Sequence, residues 1–203
     1  MFSNRVLPKE FIKQIRELEK SYMTEVDPIR QSGFGGGEQR WRTEREPILE
    51  AVDSDGDFLD VGCANGYLLE CLINWAAERG FRLVPFGLDL GEDLIGLARK
   101  RHSEHAGNFF IGNAWEWIPP RKFKYVYSLY DCVPNVYLEE YIGRLLKNIV
   151  SENGRLILGA YGSRSHNEPP FDLAEFCRVN AIPHAGQCPA GQPLITSFVW
   201  IDN

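Results

Sequence analysis

The chain has 203 residues and a formal charge of −6, from 22 basic and 28 acidic side chains. Hydrophobic residues at 44% and charged ones at 25% fit one globular unit with a sizeable core and exclude a disordered chain. The acidic balance disfavours an extended polynucleotide partner, which needs a basic stripe, and no apolar run nears the roughly 18 residues of a membrane helix.

Pro8 opens a predicted helix with Phe11, Ile12, Ile15, Leu18 and Tyr22 on one face. Its residues are charged every few positions, so it has no signal-peptide core. Asp27-Pro28 breaks it, and the glycine-rich stretch 32–38 reads as a flap or hinge. A second helix is expected from about 43 to 52, with Pro47 in its first turn and Ile48, Leu49 and Val52 facing inward. Turn residues 53–56 follow, then a strand at 57–61 and a helix over 66–79 that Gly80 stops.

The alternation continues with a strand at 83–90 and a helix holding Leu94, Ile95 and Ala98. That helix closes on Arg99-Lys-Arg-His102, cations that suit the helix dipole better than a nucleic-acid patch. Strands at 109–112 and 125–130 come next, then a helix with Leu138, Tyr141, Ile142, Leu145, Leu146 and Ile149 on one side. Gly154 leads a strand at 155–160, residues 171–179 read as helix, and 195–201 is a β-branched, aromatic final strand. Strands joined by single helices need crossovers, so an α/β, doubly wound, mostly parallel sheet with helices on both faces is expected. Residues 184–193 are too few for another helix, so two adjacent strands at the end would pair antiparallel. Residues 1–46 are expected to form an N-terminal helix and lid, and 47–203 the main domain.

Five cysteines (Cys63, Cys71, Cys132, Cys177 and Cys188) are an odd number without CxxC spacing. They argue against a disulfide framework or a structural zinc, so no metal is expected, and for reduced thiols in a cytoplasmic protein.

In an open α/β sheet the ligand sits beyond the carboxyl ends of the strands. The first such loop follows Phe58-Leu-Asp-Val-Gly-Cys-Ala-Asn-Gly66. A dinucleotide fingerprint fails there. Its third glycine would be Tyr67, where helix and strand need a tiny residue, and Asp60 would face a pyrophosphate. No GK[ST] follows, which removes a P-loop. These residues suit a ligand that brings a cation.

Asp60-Val-Gly-Cys-Ala-Asn-Gly66 resembles the first motif of class I S-adenosylmethionine-dependent methyltransferases, an acidic residue followed by GxGxG, with Ala64 in place of the middle glycine. That exchange is tolerable where the backbone keeps φ negative. The resemblance implies a seven-stranded sheet of order 3-2-1-4-5-7-6 with the last strand antiparallel. It implies that Gly62, Cys63, Ala64, Asn65 and Gly66 pass under the methionine part of the cofactor while Asp60 helps hold its ammonium. Asp89 follows Asp60 by 29 residues and would accept the ribose hydroxyls, beside Leu90. Asn113 would read the adenine amine, with Ala114 and Trp115 on the ring, and Tyr130 would lie at the floor of the methyl-donor pocket.

Methyl transfer from a sulfonium is a direct displacement, so alignment of the partners does most of the work. Where the acceptor must lose a proton, Asp131, His166 and His184 are the available bases, each also readable as a strand-end cap or a surface residue. The [DN]PP[YF] motif of amide and adenine methylation is absent, and Tyr130-Asp-Cys-Val-Pro134 takes its place. Trp115, Trp117, Tyr130 and Tyr137 read as an aromatic wall or as core. A lid over 22–46 would bring Arg30 or Arg42 to the cofactor carboxylate. The expected function is transfer to a small-molecule acceptor. A dinucleotide-binding oxidoreductase and a non-catalytic binder of S-adenosylmethionine or S-adenosylhomocysteine are the competing readings.

Overall fold

A computed structural model describes residues 5–203. Its strands are β1 (Gly56–Val61), β2 (Leu83–Asp89), β3 (Phe109–Ile111), β4 (Phe123–Leu129), β5 (Val150–Tyr161), β6 (Gly186–Ala190) and β7 (Thr196–Asp202). They form one sheet in the order β3-β2-β1-β4-β5-β7-β6. The first five pair in parallel, and β7 runs antiparallel to both β5 and β6. The expected order and the closing hairpin are both present.

Helices cover both faces: α1 (Lys9–Tyr22), α2 (Glu38–Arg45), α3 (Tyr67–Glu78), α4 (Glu92–Arg101), α5 (Leu138–Asn148) and α6 (Leu173–Val179). Because successive strand residues point to opposite faces, Phe58 and Leu59 enter different layers. Phe58, Tyr125, Tyr127 and Phe198 pack with Trp41, Ile48, Leu49, Leu69, Leu72 and Ile95. Leu59, Val126, Leu156, Leu158 and Val199 pack with Leu138, Tyr141 and Leu145 of α5 and Leu173 of α6. Each fully buried side chain of this size contributes roughly 1.5–3 kcal/mol.

The N-terminal third departs from expectation. The helix begins at Glu38 rather than near Thr43, and it ends at Arg45, passing into a 3-10 turn over Glu46–Ala51. Pro47 lacks the N–H of a continuing helix, and its ring would clash with the carbonyl four residues back. Ile29, Phe34 and Trp41 belong to the same cluster as Phe58, so the glycine-rich stretch is anchored at both ends. By contrast, α1 has no buried residue, and Leu18 on its apolar face is 52% exposed. β5 starts earlier than Gly154: Val150 pairs with Phe123 and Arg155 with Tyr125, leaving residues 151–154 looped out of the ladder. Among the described residues no helix is long and apolar enough to cross a membrane, and all five cysteines are free.

Candidate functional site

The loop between β1 and α3 is held from below by β2. Gly62 Nα and Cys63 Nα both donate to the Leu88 carbonyl, at 2.7 and 3.1 Å. Ala64 Nα donates to Asp89 Oδ2 at 2.9 Å, while Gly91 Nα donates to Oδ1 at 2.8 Å. Asp89 therefore shapes the loop as well as facing the cleft. Gly62 takes a φ of 91°, a left-handed conformation that suits glycine. Ala64 takes a φ of 46°, which overturns the expectation that it would stay negative. The bond to Asp89 holds it there against a cost of order 1–2 kcal/mol.

Two cavities meet at this loop. The larger, of about 580 Å³, is lined by Asp60, Gly62, Cys63 and Ala64 on one side and by Tyr22, Arg40, Glu44, Arg45, Tyr161 and Arg164 on others. The smaller, of about 70 Å³, is lined by Gly62, Asp89, Leu90, Asn113 and Ala114, with Ile12 and Ile15 of α1 as its roof and Cys132 at its side. Gly62 is the wall they share.

Not every residue of the motifs reaches a cavity. Asn65 is fully buried and turned away. Its Nδ2 donates to the Pro28 carbonyl and to Gln31 Oε1, each at 3.0 Å, and its Oδ1 accepts from Tyr67 Nα at 3.1 Å. Gly66 caps α3 with a φ of 73°, its carbonyl hydrogen-bonded to His102 Nε2 at 2.9 Å. Trp115 is 4% exposed and lies in the core, its Nε1 donating to the Arg5 carbonyl at 2.8 Å and its ring under Arg144. It does not line the adenine-side cavity. Tyr130 stacks on Phe171 with ring centroids 4.7 Å apart and also lies off both cavities.

Of the three bases considered, Asp131 opens onto the larger cavity, whose walls push its carboxyl above the usual range by desolvation. His166 sits at the rim, bonded through Nδ1 to Ser163 Oγ at 2.8 Å. His184 precedes β6, whose first residue Gly186 pairs with Trp200 near the far end of β7. That places it toward the amino ends of the parallel strands, away from the site. Arg30 and Arg42 do not line either cavity. Arg30 pairs with Glu25, and Arg42 bonds Glu46 and Glu78 over the Trp75 ring.

The electrostatics are set by a buried acid, Asp60, a half-buried one, Asp89, and a wall of arginines. Asp60 is 2% exposed, and burial followed by the charge of Asp89 pushes its carboxyl up to about 8; among the described residues no hydrogen bond or cation offsets them. Asp89 is also raised by burial, although its bonds from Gly91 and Ala64 pull the other way. A ligand cation arriving beside such a group would favour its ionised form. Across the cavity Arg45 stacks against Tyr161, Phe34 and Trp41, with ring centroids 3.8, 4.3 and 4.8 Å away. Tyr161 Oη and Tyr127 Oη lie 2.8 Å apart beneath it. Arg45 and the rings around it belong to no sequence motif. The only trace of this wall in the sequence is the Arg40–Glu44 spacing of four within α2.

No protein-family model matches the sequence, and no curated protein matches it. Solved structures do. The N-methyltransferase NodS of Bradyrhizobium japonicum WM9, solved with S-adenosylhomocysteine, superposes with a TM-score of 0.68 at 14% identity, covering 93% of this chain and 97% of that one. The magnesium protoporphyrin IX methyltransferase of Synechocystis PCC 6803, solved with bound S-adenosylmethionine, gives 0.63 at 15% identity and covers 99% of this chain and 100% of that one. The chain has the class I methyltransferase fold. Phosphoethanolamine N-methyltransferase 1 of Haemonchus contortus shares it, with a TM-score of 0.71 at 11% identity over 98% of this chain and 50% of its own. Within this methyltransferase fold, both cavities lie beyond the carboxyl ends of the parallel strands, where open α/β sheets hold their ligands.

Proposed function

We propose that the protein is an S-adenosylmethionine-dependent methyltransferase that acts on a small molecule in the cytoplasm. The observation that carries this reading is the shared wall at Gly62. It separates a compartment with an unpaired buried carboxylate, Asp60, from one with Asp89 and a mostly apolar lining. A ligand with a charged amino acid at one end and a nucleoside at the other would span the two.

In this reading Asp60 balances the α-ammonium, and Gly62, Cys63 and Ala64 pass beneath the methionine chain. Asp89 keeps lone pairs free for the ribose hydroxyls beside its two backbone bonds. Leu90, Asn113 and Ala114 border the adenine, though Asn113 Oδ1 already accepts from Trp115 Nα at 2.9 Å, which leaves its amide nitrogen to face the base. Arg45, rather than Arg30 or Arg42, would take the methionine carboxylate. The smaller cavity, at about 70 Å³, is narrow beneath Ile12 and Ile15, so a nucleoside would enter only with α1 displaced outward. Asp131 is the base within reach of an acceptor in the larger cavity.

Calorimetry with S-adenosylhomocysteine and with NAD tests the assignment. One equivalent of the former should bind and the latter should not; the opposite ranking would return the site to the oxidoreductase reading. Transfer of labelled methyl to any member of a small-molecule library then separates an enzyme from a protein that only binds the cofactor.

A further inference from the structure

The larger cavity carries more positive charge on one wall than the cofactor alone would use. Arg40, Arg45 and Arg164 converge on a single carboxylate, Glu44, which is 3% exposed. Arg40 Nε lies 3.1 Å and Arg164 Nη2 3.2 Å from Glu44 Oε1. Arg45 Nη1 lies 3.5 Å from Oε2 and makes no hydrogen bond, although Arg45 is only 7% exposed. A buried guanidinium N–H without an acceptor is costly and marks a place where an acceptor belongs.

Three guanidinium charges share the single carboxylate of Glu44, and the methionine carboxylate would add a second negative charge, so one positive charge on this wall remains unbalanced. Asp60 does not compensate, since the ligand ammonium would occupy it. The surplus also lies in a particular place. Arg164 follows β5, two strands from β1, which is roughly 10 Å across the ladder from the glycine loop. Ser163 and Ser165 line the cavity beside it. Guanidinium forks with neighbouring hydroxyls bind carboxylate and phosphate by paired hydrogen bonds.

Building on the methyltransferase reading, we propose that the methyl acceptor is a small molecule with an acidic group, carboxylate or phosphate, that docks on Arg164 and Arg40 while its nucleophile points toward Asp131. In the transfer, the nucleophile's lone pair forms the new bond to the methyl carbon as the carbon–sulfur bond breaks. That electron pair returns to sulfur, leaving a neutral thioether, and the acceptor's proton passes to Asp131 or to water.

The test titrates the full chain with inorganic phosphate and with benzoate, at fixed ionic strength so that screening stays constant. Each titration is run with and without saturating S-adenosylhomocysteine and is read by tryptophan fluorescence, Trp41 lying against Arg45. At least one probe should bind saturably and choline should not. Whichever of the two binds more tightly identifies the acidic group as phosphate or carboxylate. Arg164→Gln should weaken that probe by about tenfold, with Arg164→Lys in between, while S-adenosylhomocysteine affinity stays within about threefold. Binding of neither probe, or equal binding by Arg164→Gln, overturns the proposal. Failure of S-adenosylhomocysteine to bind while a probe still responds to Arg164 would instead sink the methyltransferase reading and leave an acid-binding site.

Discussion

The two compartments on either side of Gly62 are built in different ways. Beneath its α1 roof, the smaller takes its lining from the ends of adjacent strands and the turns after them: Gly62 after β1, Asp89 and Leu90 at the end of β2, Gly112 to Ala114 after β3. Neighbouring strands in a hydrogen-bonded ladder hold such residues at fixed spacing, so its chemistry is tied to the fold. The larger draws on α1, the glycine-rich stretch, α2 and the loop after β5, segments more than a hundred residues apart in the chain. Its groups meet only through tertiary packing. One compartment is built from what any open α/β sheet supplies, and the other is where, in the proposed reading, an acceptor would be selected.

That contrast is most sharply broken at Asp89. Asp89→Ala removes two prospective bonds to the ribose, at roughly 1.5–3 kcal/mol each, and leaves the Ala64 N–H unpaired. Affinity for S-adenosylhomocysteine should fall by about 100-fold or more in calorimetry, whereas a loss of only a few-fold would remove the nucleoside from this compartment.

The next effect is a pH dependence at Asp60. In the free protein its carboxyl is raised to about 8, so near neutrality it is largely protonated. An incoming ammonium favours the ionised form, so binding should release a proton, seen as a buffer-dependent calorimetric enthalpy. Affinity should climb with pH by up to about tenfold per unit and level off above 8. Stability of the free protein runs the other way. The folded state holds this proton to a higher pH than the unfolded state, so the contribution is full at low pH and fades as pH rises toward 8. Asp60→Asn should abolish the pH-dependent affinity and raise the Tm of the free protein at pH 8 by about 2–4 °C, on the scale of 1 kcal/mol in a chain this size.

A smaller effect concerns the roof. With no buried residue, α1 should exchange its amides readily in the free protein and slow by about tenfold when S-adenosylhomocysteine is bound; unchanged exchange would separate α1 from the cofactor. The smallest is Ala64→Gly. Relief of the left-handed backbone should exceed the added chain entropy, for a gain of about 0.5–1 kcal/mol and a Tm higher by a few degrees with binding intact.

Legibility in the sequence follows the same division. Period-2 and period-3.6 apolar patterns located all seven parallel and antiparallel strands except β6, whose Gly186-Gln-Cys-Pro-Ala190 has little β-propensity and pairs only because β7 offers it an edge. Asp60, Gly62 and Asp89 were readable because a βαβ unit fixes their separation. Trp115 and Tyr130 were misplaced because pattern gives the strand end but not which way a ring turns, and both turn toward packing partners. Arg45 was hidden in Glu38–Arg45, within the stretch expected as a lid whose arginine would be Arg30 or Arg42; the rings of Phe34, Trp41 and Tyr161 that enclose it come from three separate segments.

Asn65 ties these regions together. Its side chain is spent wholly on the turn at Pro28 and Gln31 and on its own helix start, so floor and ceiling of the larger chamber are riveted at one amide. A ligand that bends the floor must pull on the ceiling, and a change in the ceiling is felt in the glycine loop. Trimming the chain before Pro47 would therefore strip a structural support from the very turn that should carry the methyl donor.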